Sequence, residues 1–272
     1  RDAVYPATIV GRPPMEDAYL IEASERLFLV PAQLILPEIV DYHMPPAGIA
    51  HNLVNVVIKK GYPGQAYKVG NGLLGLGQMM FAKVILVTDA DVPPNDHPGF
   101  WRTVLANALP GRDHQIAKGP IDVLDHASRA WSYGSKLIVD GTVKHAEEVG
   151  AMGASGVNGA AGAAGAAGAT GVGDAEAPAW EPGPERDRTQ LPAHAEVLDQ
   201  HQPGNGFWFL TTRKERADQG RHIGEWAAHH VAARGVRLIA VLDQETDPRD
   251  FEDAIWTLLN NIDPERDVQA AD

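Results

Sequence analysis

Asp89, Asp91, Asp96 and His97 form the densest cluster of polar, chemistry-bearing side chains in this sequence. They follow the apolar run Val84–Val87, which has the composition of a central, buried strand. A carboxylate at the C-terminal end of such a strand is where open α/β sheets place ligands, so Asp89 could hold Mg²⁺ or accept a phosphoryl group in the manner of a receiver domain. The same residue types also build turns and helix caps, because Asp, Asn and Pro bond or fix their own backbone. Both readings stand on the residues alone. Gly72, Gly75 and Gly77 have the wrong order for a dinucleotide loop and fall inside a helical pattern, which points to close packing. The eleven His residues include no HExxH or HxxxH pair, and His229 and His230 are adjacent, so they point apart on a helix. There is no Gly-x-Ser-x-Gly elbow and no Walker A sequence. No residue is assigned a catalytic or metal-binding role.

The elements that would carry this cluster occur twice. Lys83–Gln115 is a strand, an acidic turn, an amphipathic helix and a Pro-Gly stop. Laying Val84 on Leu238, an offset of 154, aligns it with Leu238–Gln269 without a gap. Asp89/Asp243, Pro94/Pro248, Asp96/Asp250, Asn107/Asn261, Pro110/Pro264 and Arg112-Asp113/Arg266-Asp267 coincide. Upstream, Lys60 meets Lys214, Gln65 meets Gln219 and Gly70 meets Gly224. This is an internal duplication of an α/β unit. The matched set is turn and cap chemistry, which predicts two units with one backbone and structural roles for the shared residues.

Around the duplicated core, residues 4–10 read as a strand and residues 16–29 as a helix, with Pro31 kinking it or dividing it from a second helical piece over 32–39. Residues 52–60 read as a strand, 65–81 as one Gly- and Leu-rich helix, and 113–117 and 135–139 as further strands, with 120–128 a loop. From Gly150 to Gly171, Gly recurs every third residue without a single Pro, so the tract reads as a linker rather than a collagen helix. The predicted architecture is α/β: two related two- or three-layer units with mixed or parallel sheets. The first covers 1–148, a Gly/Ala- then Pro/Glu-rich linker covers 149–204, and a partial second repeat covers 205–272.

Composition excludes several functions. A formal charge of −13 argues against nucleic acid and anionic membrane surfaces. The absence of cysteine removes disulfides, thiolate metal sites and Cys nucleophiles, and fits a cytoplasmic setting. The longest apolar run, Leu27–Val40, is broken by Pro31 and Pro37 and is too short for a membrane span.

Six segments in order are recognisable: residues 8–17 (TIVGRPPMED), 36–48 (LPEIVDYHMPPAG), 58–69 (IKKGYPGQAYKV), 83–92 (KVILVTDADV), 120–128 (PIDVLDHAS) and 134–144 (GSKLIVDGTVK). Together they resemble the C-terminal part of the UbiD family, the prenylated-FMN-dependent decarboxylases of aromatic and α,β-unsaturated acids. The second copy is similar too, most clearly in residues 253–267 (DAIWTLLNNIDPERD). The resemblance implies a non-oxidative carboxy-lyase, with quinone-pathway aromatic acids as the suggested substrates. In it prenylated FMN acts as electron sink, held through a divalent metal (Mn) at its phosphate. The family's acid/base carboxylates, arginine and metal ligands lie upstream of the GRPP turn, and this chain begins just before that turn. It therefore reads as a fragment that binds no cofactor and is inactive alone. Its expected partners are an upstream catalytic domain, in the same protein or as a separate chain, and further copies of itself. By the same resemblance, Pro120, Ile121 and Val123 would form an apolar wall of the substrate pocket. The competing readings are a non-catalytic assembly module and the receiver-like use of Asp89.

Overall fold

The computed structural model describes residues 15–128, 130–150, 180–230 and 235–270. The expected strand at 4–10, the GRPP turn and the Gly-Ala tract lie outside them. In chain order the elements are α1 (Met15–Ile35), β1 (Ile39–His43), β2 (Leu53–Ile58), α2 (Gln65–Leu74), β3 (Val84–Asp89), α3 (His97–Asn107), β4 (His114–Pro120), β5 (Tyr133–Asp140), α4 (Ala146–Gly150), β6 (Arg186–Asp187), β7 (Asp199–Gln202), β8 (Phe207–Thr212), α5 (Gln219–Ala228), β9 (Leu238–Asp243), α6 (Phe251–Asn261) and α7 (Pro264–Asp267).

Two mixed sheets result. One runs β1-β2-β3-β5-β4, with β2, β3 and β5 parallel and an antiparallel strand at each edge. The other runs β6-β7-β8-β9, with only β8 and β9 parallel. The fold class is the one the residues imply: two α/β units. The boundaries of β2, α2, β3 and α3 recur 154 residues on in β8, α5, β9 and α6. Asp89 and Asp243 each end a strand.

Helices α3 and α6 lie between the two sheets in one shared core. Leu53, Val57, Val84 and Leu86 meet Phe100, Trp101, Val104, Ala254, Ile255 and Leu259, and these meet Phe207, Phe209, Ala240 and Leu242. The outer faces are covered separately, by α1 and α2 on the first sheet and by α5 on the second. The equivalent residues His97 and Phe251 touch, with ring centroids 5.6 Å apart. The second copy thus covers apolar surface that the first leaves open, which is what a half-buried sheet requires.

The matched polar residues repeat their bonds. Gln65 Oε1 accepts from Gly61 N at 2.6 Å and Gln219 Oε1 from Glu215 N at 2.7 Å. Asp113 Oδ2 accepts from Leu109 N and Asp267 Oδ2 from Asp263 N, both at 2.8 Å. Asp96 and Asp250 are the N-caps of α3 and α6, accepting from Gly99 N at 3.3 Å and Asp253 N at 3.1 Å. Replacing either by Ala is expected to cost about 0.5–2 kcal/mol, read from urea unfolding. A cost near zero for both would show that the two caps are dispensable.

Three expectations are corrected. Helix α1 runs unbroken through Pro31. Pro31 and Leu27, whose carbonyl loses its partner there, both lie on the solvent face, where that carbonyl is open to water. Residues 65–81 are not one helix. It stops at Leu74, and after Gly77 enters the left-handed region at φ 53° a 3-10 turn covers Gly77–Phe81. Regular structure is also present before Gly206, since β6 and β7 fall within the stretch taken as linker. There a polar segment pairs with β8, whose edge would otherwise stay open, and buries His201 and Gln202.

Candidate functional site

The C-terminal ends of β2, β3 and β5 are the position where a ligand would sit in an open sheet. Here the chain occupies it. Asp89 Oδ2 accepts from Val143 N at 2.6 Å, so this carboxylate clasps the segment after β5. Lys60 Nζ donates to Thr142 Oγ1 at 2.8 Å, Val143 O at 3.0 Å and Glu148 Oε2 at 2.6 Å. Asp140 Oδ1 accepts from Thr142 N at 2.9 Å. Asp243, the equivalent of Asp89, accepts from its own turn, from Glu245 N at 3.2 Å. Among the described residues no group of three His, Asp or Glu side chains is placed to hold a metal ion.

A cleft of about 340 Å³ opens at the junction of the units, lined by His43, Pro45, Pro46, Asn95, His97 and Glu252. Its two histidines are oriented by carboxylates. His43 Nδ1 is 3.1 Å from Glu25 Oε2, and the buried Glu25 also accepts from Met44 N at 2.6 Å. His97 Nε2 accepts from Trp101 Nε1 at 3.0 Å, which leaves Nδ1 to donate to Glu252 Oε1 at 2.7 Å. Sequence reading missed both pairs, because Glu25 and His43, and likewise His97 and Glu252, meet only after folding. None of the residues lining this cleft is a Lys or Arg.

The loop after β4 is built differently. Ile121 is buried, while Pro120 and Val123 are exposed. The loop is pinned at several points. Ile121 N donates to Ser132 O at 3.1 Å, and Ser132 Oγ donates back to Ile121 O at 2.7 Å. Asp122 pairs with His51 at 2.8 Å and accepts from Leu124 N at 2.9 Å, and these bonds hold its carboxyl below the usual carboxylate range. Asp125 accepts from Ala127 N at 2.8 Å and forms a buried ion pair with Lys83. Burial pushes the Lys83 amine down, and Asp125 opposes that shift. Above these anchors Val123, Leu124, Trp131 and Tyr133 are exposed.

A second buried lysine has no carboxylate partner among the described residues. Lys136 Nζ donates to Met80 O at 2.6 Å and Ala82 O at 2.8 Å, and burial pushes its amine down to about 8. Its folded pKa lies below the unfolded value, so between these values the unfolded chain binds more protons and stability rises with pH. Burial raises the Tyr42 and Tyr67 hydroxyls, so above about pH 10 the folded state retains protons the unfolded chain loses, and stability falls. Unfolding midpoints are therefore expected to climb from about pH 8 and turn over near pH 10. A steady fall across that window, or a Lys136 ε-methylene NMR titration at the ordinary lysine value, would contradict this.

Comparison with known proteins bears on what these features belong to. The model of the 3-octaprenyl-4-hydroxybenzoate carboxy-lyase C-terminal domain matches residues 18–141 and 190–272, well over half of the chain. The chain belongs to this carboxy-lyase family. The match includes both copies and skips the Gly-Ala tract. An uncharacterized protein of Aquifex aeolicus is 49% identical over 148 residues, which are 54% of this chain and 30% of the relative. One of Archaeoglobus fulgidus is 42% identical over 146 residues, 53% of this chain and 30% of the relative. The chain thus spans under a third of the length of these relatives. Among solved structures, the open form of vanillic acid decarboxylase of Sedimentibacter hydroxybenzoicus matches at TM-score 0.46 and 23% identity, covering 49% of this chain and 29% of that one. The UbiD-class enzyme HmfF of Pelotomaculum thermopropionicum, in complex with FMN, matches at TM-score 0.42 and 22% identity, covering 46% and 28%. No described helix is long and apolar enough to cross a membrane.

Proposed function

We propose that this chain is the C-terminal portion of a cytoplasmic, prenylated-FMN-dependent carboxy-lyase that decarboxylates an aromatic or α,β-unsaturated acid, with quinone-precursor acids as the substrate class. Its role is to close the substrate pocket of an upstream catalytic domain, carried in the same protein or on a partner chain, within a homo-oligomer. The flavin, bound with its metal by that other domain, supplies the electron sink for decarboxylation. The residues of this chain supply shape and water exclusion.

The observation that carries this reading is the loop at 120–128. A surface loop that is apolar at its tip yet tied down by a buried ion pair, two carboxylate turns and a backbone rung is preorganised for contact. Pro120 and Val123 supply the apolar wall, and Ile121 serves as the anchor beneath them. An apolar wall excludes water from the carboxylate to be lost and leaves the ring of an aromatic acid in van der Waals contact.

The test is a chimera of the Aquifex aeolicus relative in which this chain replaces the matching 148 residues. Supplied with prenylated FMN and aromatic acids, it is expected to release CO₂, and Val123→Asp to lower kcat/KM at least tenfold. The 272-residue chain alone is expected to release none. Unchanged turnover in the Val123→Asp chimera would remove the wall, and turnover by the isolated chain would remove the need for another domain.

A further inference from the structure

The cleft between the units is rich in hydrogen-bond acceptors and poor in donors. Pro45 and Pro46 carry no backbone N–H. His97 spends both ring nitrogens, one on Trp101 and one on Glu252. Three acceptors are unclaimed among the described residues: His43 Nε2, Glu252 Oε2 and Asn95 Oδ1. His43 Nε2 is an acceptor because Nδ1, 3.1 Å from the buried Glu25 carboxylate, holds the ring proton. Beside His43, its cross-strand partner Asn55 is fully buried and donates to Pro94 O at 3.0 Å. Asn55 Oδ1 has no donor among the described residues, which is costly for a buried amide.

The second unit fills the corresponding place from its own chain. His201 pairs with Phe209 on β8 as His43 pairs with Asn55 on β2, and 209 − 55 is the same 154-residue offset. The counterpart of Asn95 is Arg249 (249 − 95 = 154). Its Nη1 lies 2.7 Å from Asp199 on β7, and its Nη2 pairs with Asp187 on β6. The turn before α6 thus carries a cation to acceptors at the sheet edge, and the turn before α3 carries none.

We infer that this cleft binds a small primary ammonium, an aliphatic mono- or diamine, where the second unit has Arg249. The inference is independent of the carboxy-lyase reading. An ammonium has three N–H donors and no acceptor, which matches His43 Nε2, Glu252 and Asn95 Oδ1. Glu252 supplies the opposite charge, and the rings of Pro45 and Pro46 give the methylenes an apolar wall. The N-termini of α3 and α6 lie at this cleft, but Asp96 and Asp250 cap them, so their positive ends do not reserve it for an anion. The formal charge of −13 further favours a cation in the approach.

The test is NMR titration of the 272-residue chain with n-butylammonium chloride at constant ionic strength, against n-butanol and sodium butyrate. The ammonium is expected to shift the His43 and His97 ring signals and the Asn95 side-chain amide saturably, with a dissociation constant on the order of 1 mM. The alcohol and the carboxylate are expected to leave them in place. Glu252→Gln should weaken binding at least tenfold. Asn95→Arg, which copies the second unit, should abolish it with unchanged circular dichroism. Equal binding of n-butanol, or ammonium shifts that survive Asn95→Arg, would overturn the inference. So would a Zn²⁺ titration that moves the same signals at lower concentration, since the site would then hold a metal.

Discussion

Replacing Lys83 by Met is expected to destabilise the protein by about 3–5 kcal/mol, the usual cost of leaving one member of a buried ion pair unpaired. The Lys83 side chain is 1% exposed and that of Asp125 is fully buried. The amine joins three segments that are distant in sequence. It ion-pairs with the loop at Asp125, and donates to Leu259 O at 2.7 Å and Ile262 O at 3.2 Å at the end of α6. Methionine fills the volume but leaves a buried carboxylate and two carbonyls without their donor. For a chain of this size the melting temperature should fall on the order of 10 °C. Exchange of the Ala127 and Ser128 amides, which Asp125 holds, should speed up more than exchange in the second sheet. Lys83→Met combined with Asp125→Leu should recover much of the loss, because two apolar groups no longer leave a charge stranded. A single variant costing less than about 1 kcal/mol would show that water reaches the pair.

The second large effect is a change of sign between duplicated positions. Gly70 and Gly224 occupy the same place in α2 and α5. A Cβ on Gly70 would lie 2.7 Å from Ile138 Cγ2 and 2.9 Å from Ile138 Cδ1, whereas one on Gly224 would meet nothing within 4 Å. Gly224→Ala is expected to stabilise by about 0.5–1 kcal/mol, the ordinary gain of Ala over Gly inside a helix. Gly70→Ala receives the same gain but must displace a β5 side chain packed on all sides, an overpacking of about 1–3 kcal/mol, so it should lose stability net. Chemical denaturation of the two variants side by side decides it, and a stabilised Gly70→Ala would mean that Ile138 repacks freely. The physical source of the asymmetry is β5, which backs α2 in the first unit and has no counterpart in the second sheet among the described residues.

Much of this frame is legible in the residues. Strand β3 reads as central because it is apolar on both faces, and it is central. The acidic turns read as caps because Asp, three residues ahead of a helical amide, can accept from it, and Asp96 and Asp250 do. These are local rules, and the 154-residue offset doubles their force, since two independent surroundings kept one set of turn residues. Local rules also explain the misreadings. A Pro inside a helix costs less where the bond it removes faces solvent, as at Pro31, and burial is not written in one residue. Residues 199–202 have no alternating pattern, so their place beside β8 follows from an open strand edge elsewhere in the chain.

The sequence by itself determined most of the elements, their repetition, the family and the acidic, cysteine-free character of the chain, because each depends on neighbours within a few residues or on composition. Tertiary structure alone decided what lies between the copies. The pairing of His97 with Glu252, of Lys83 with Asp125 and of Glu25 with His43 joins residues 155, 42 and 18 positions apart. It decided that Asp89 clasps Val143, and that Ile121 is buried under the loop while Val123 stands outside. Such contacts are set by which faces remain apolar once every local element has formed. That is a property of the packed whole, because each sheet face is covered by a helix from another part of the chain.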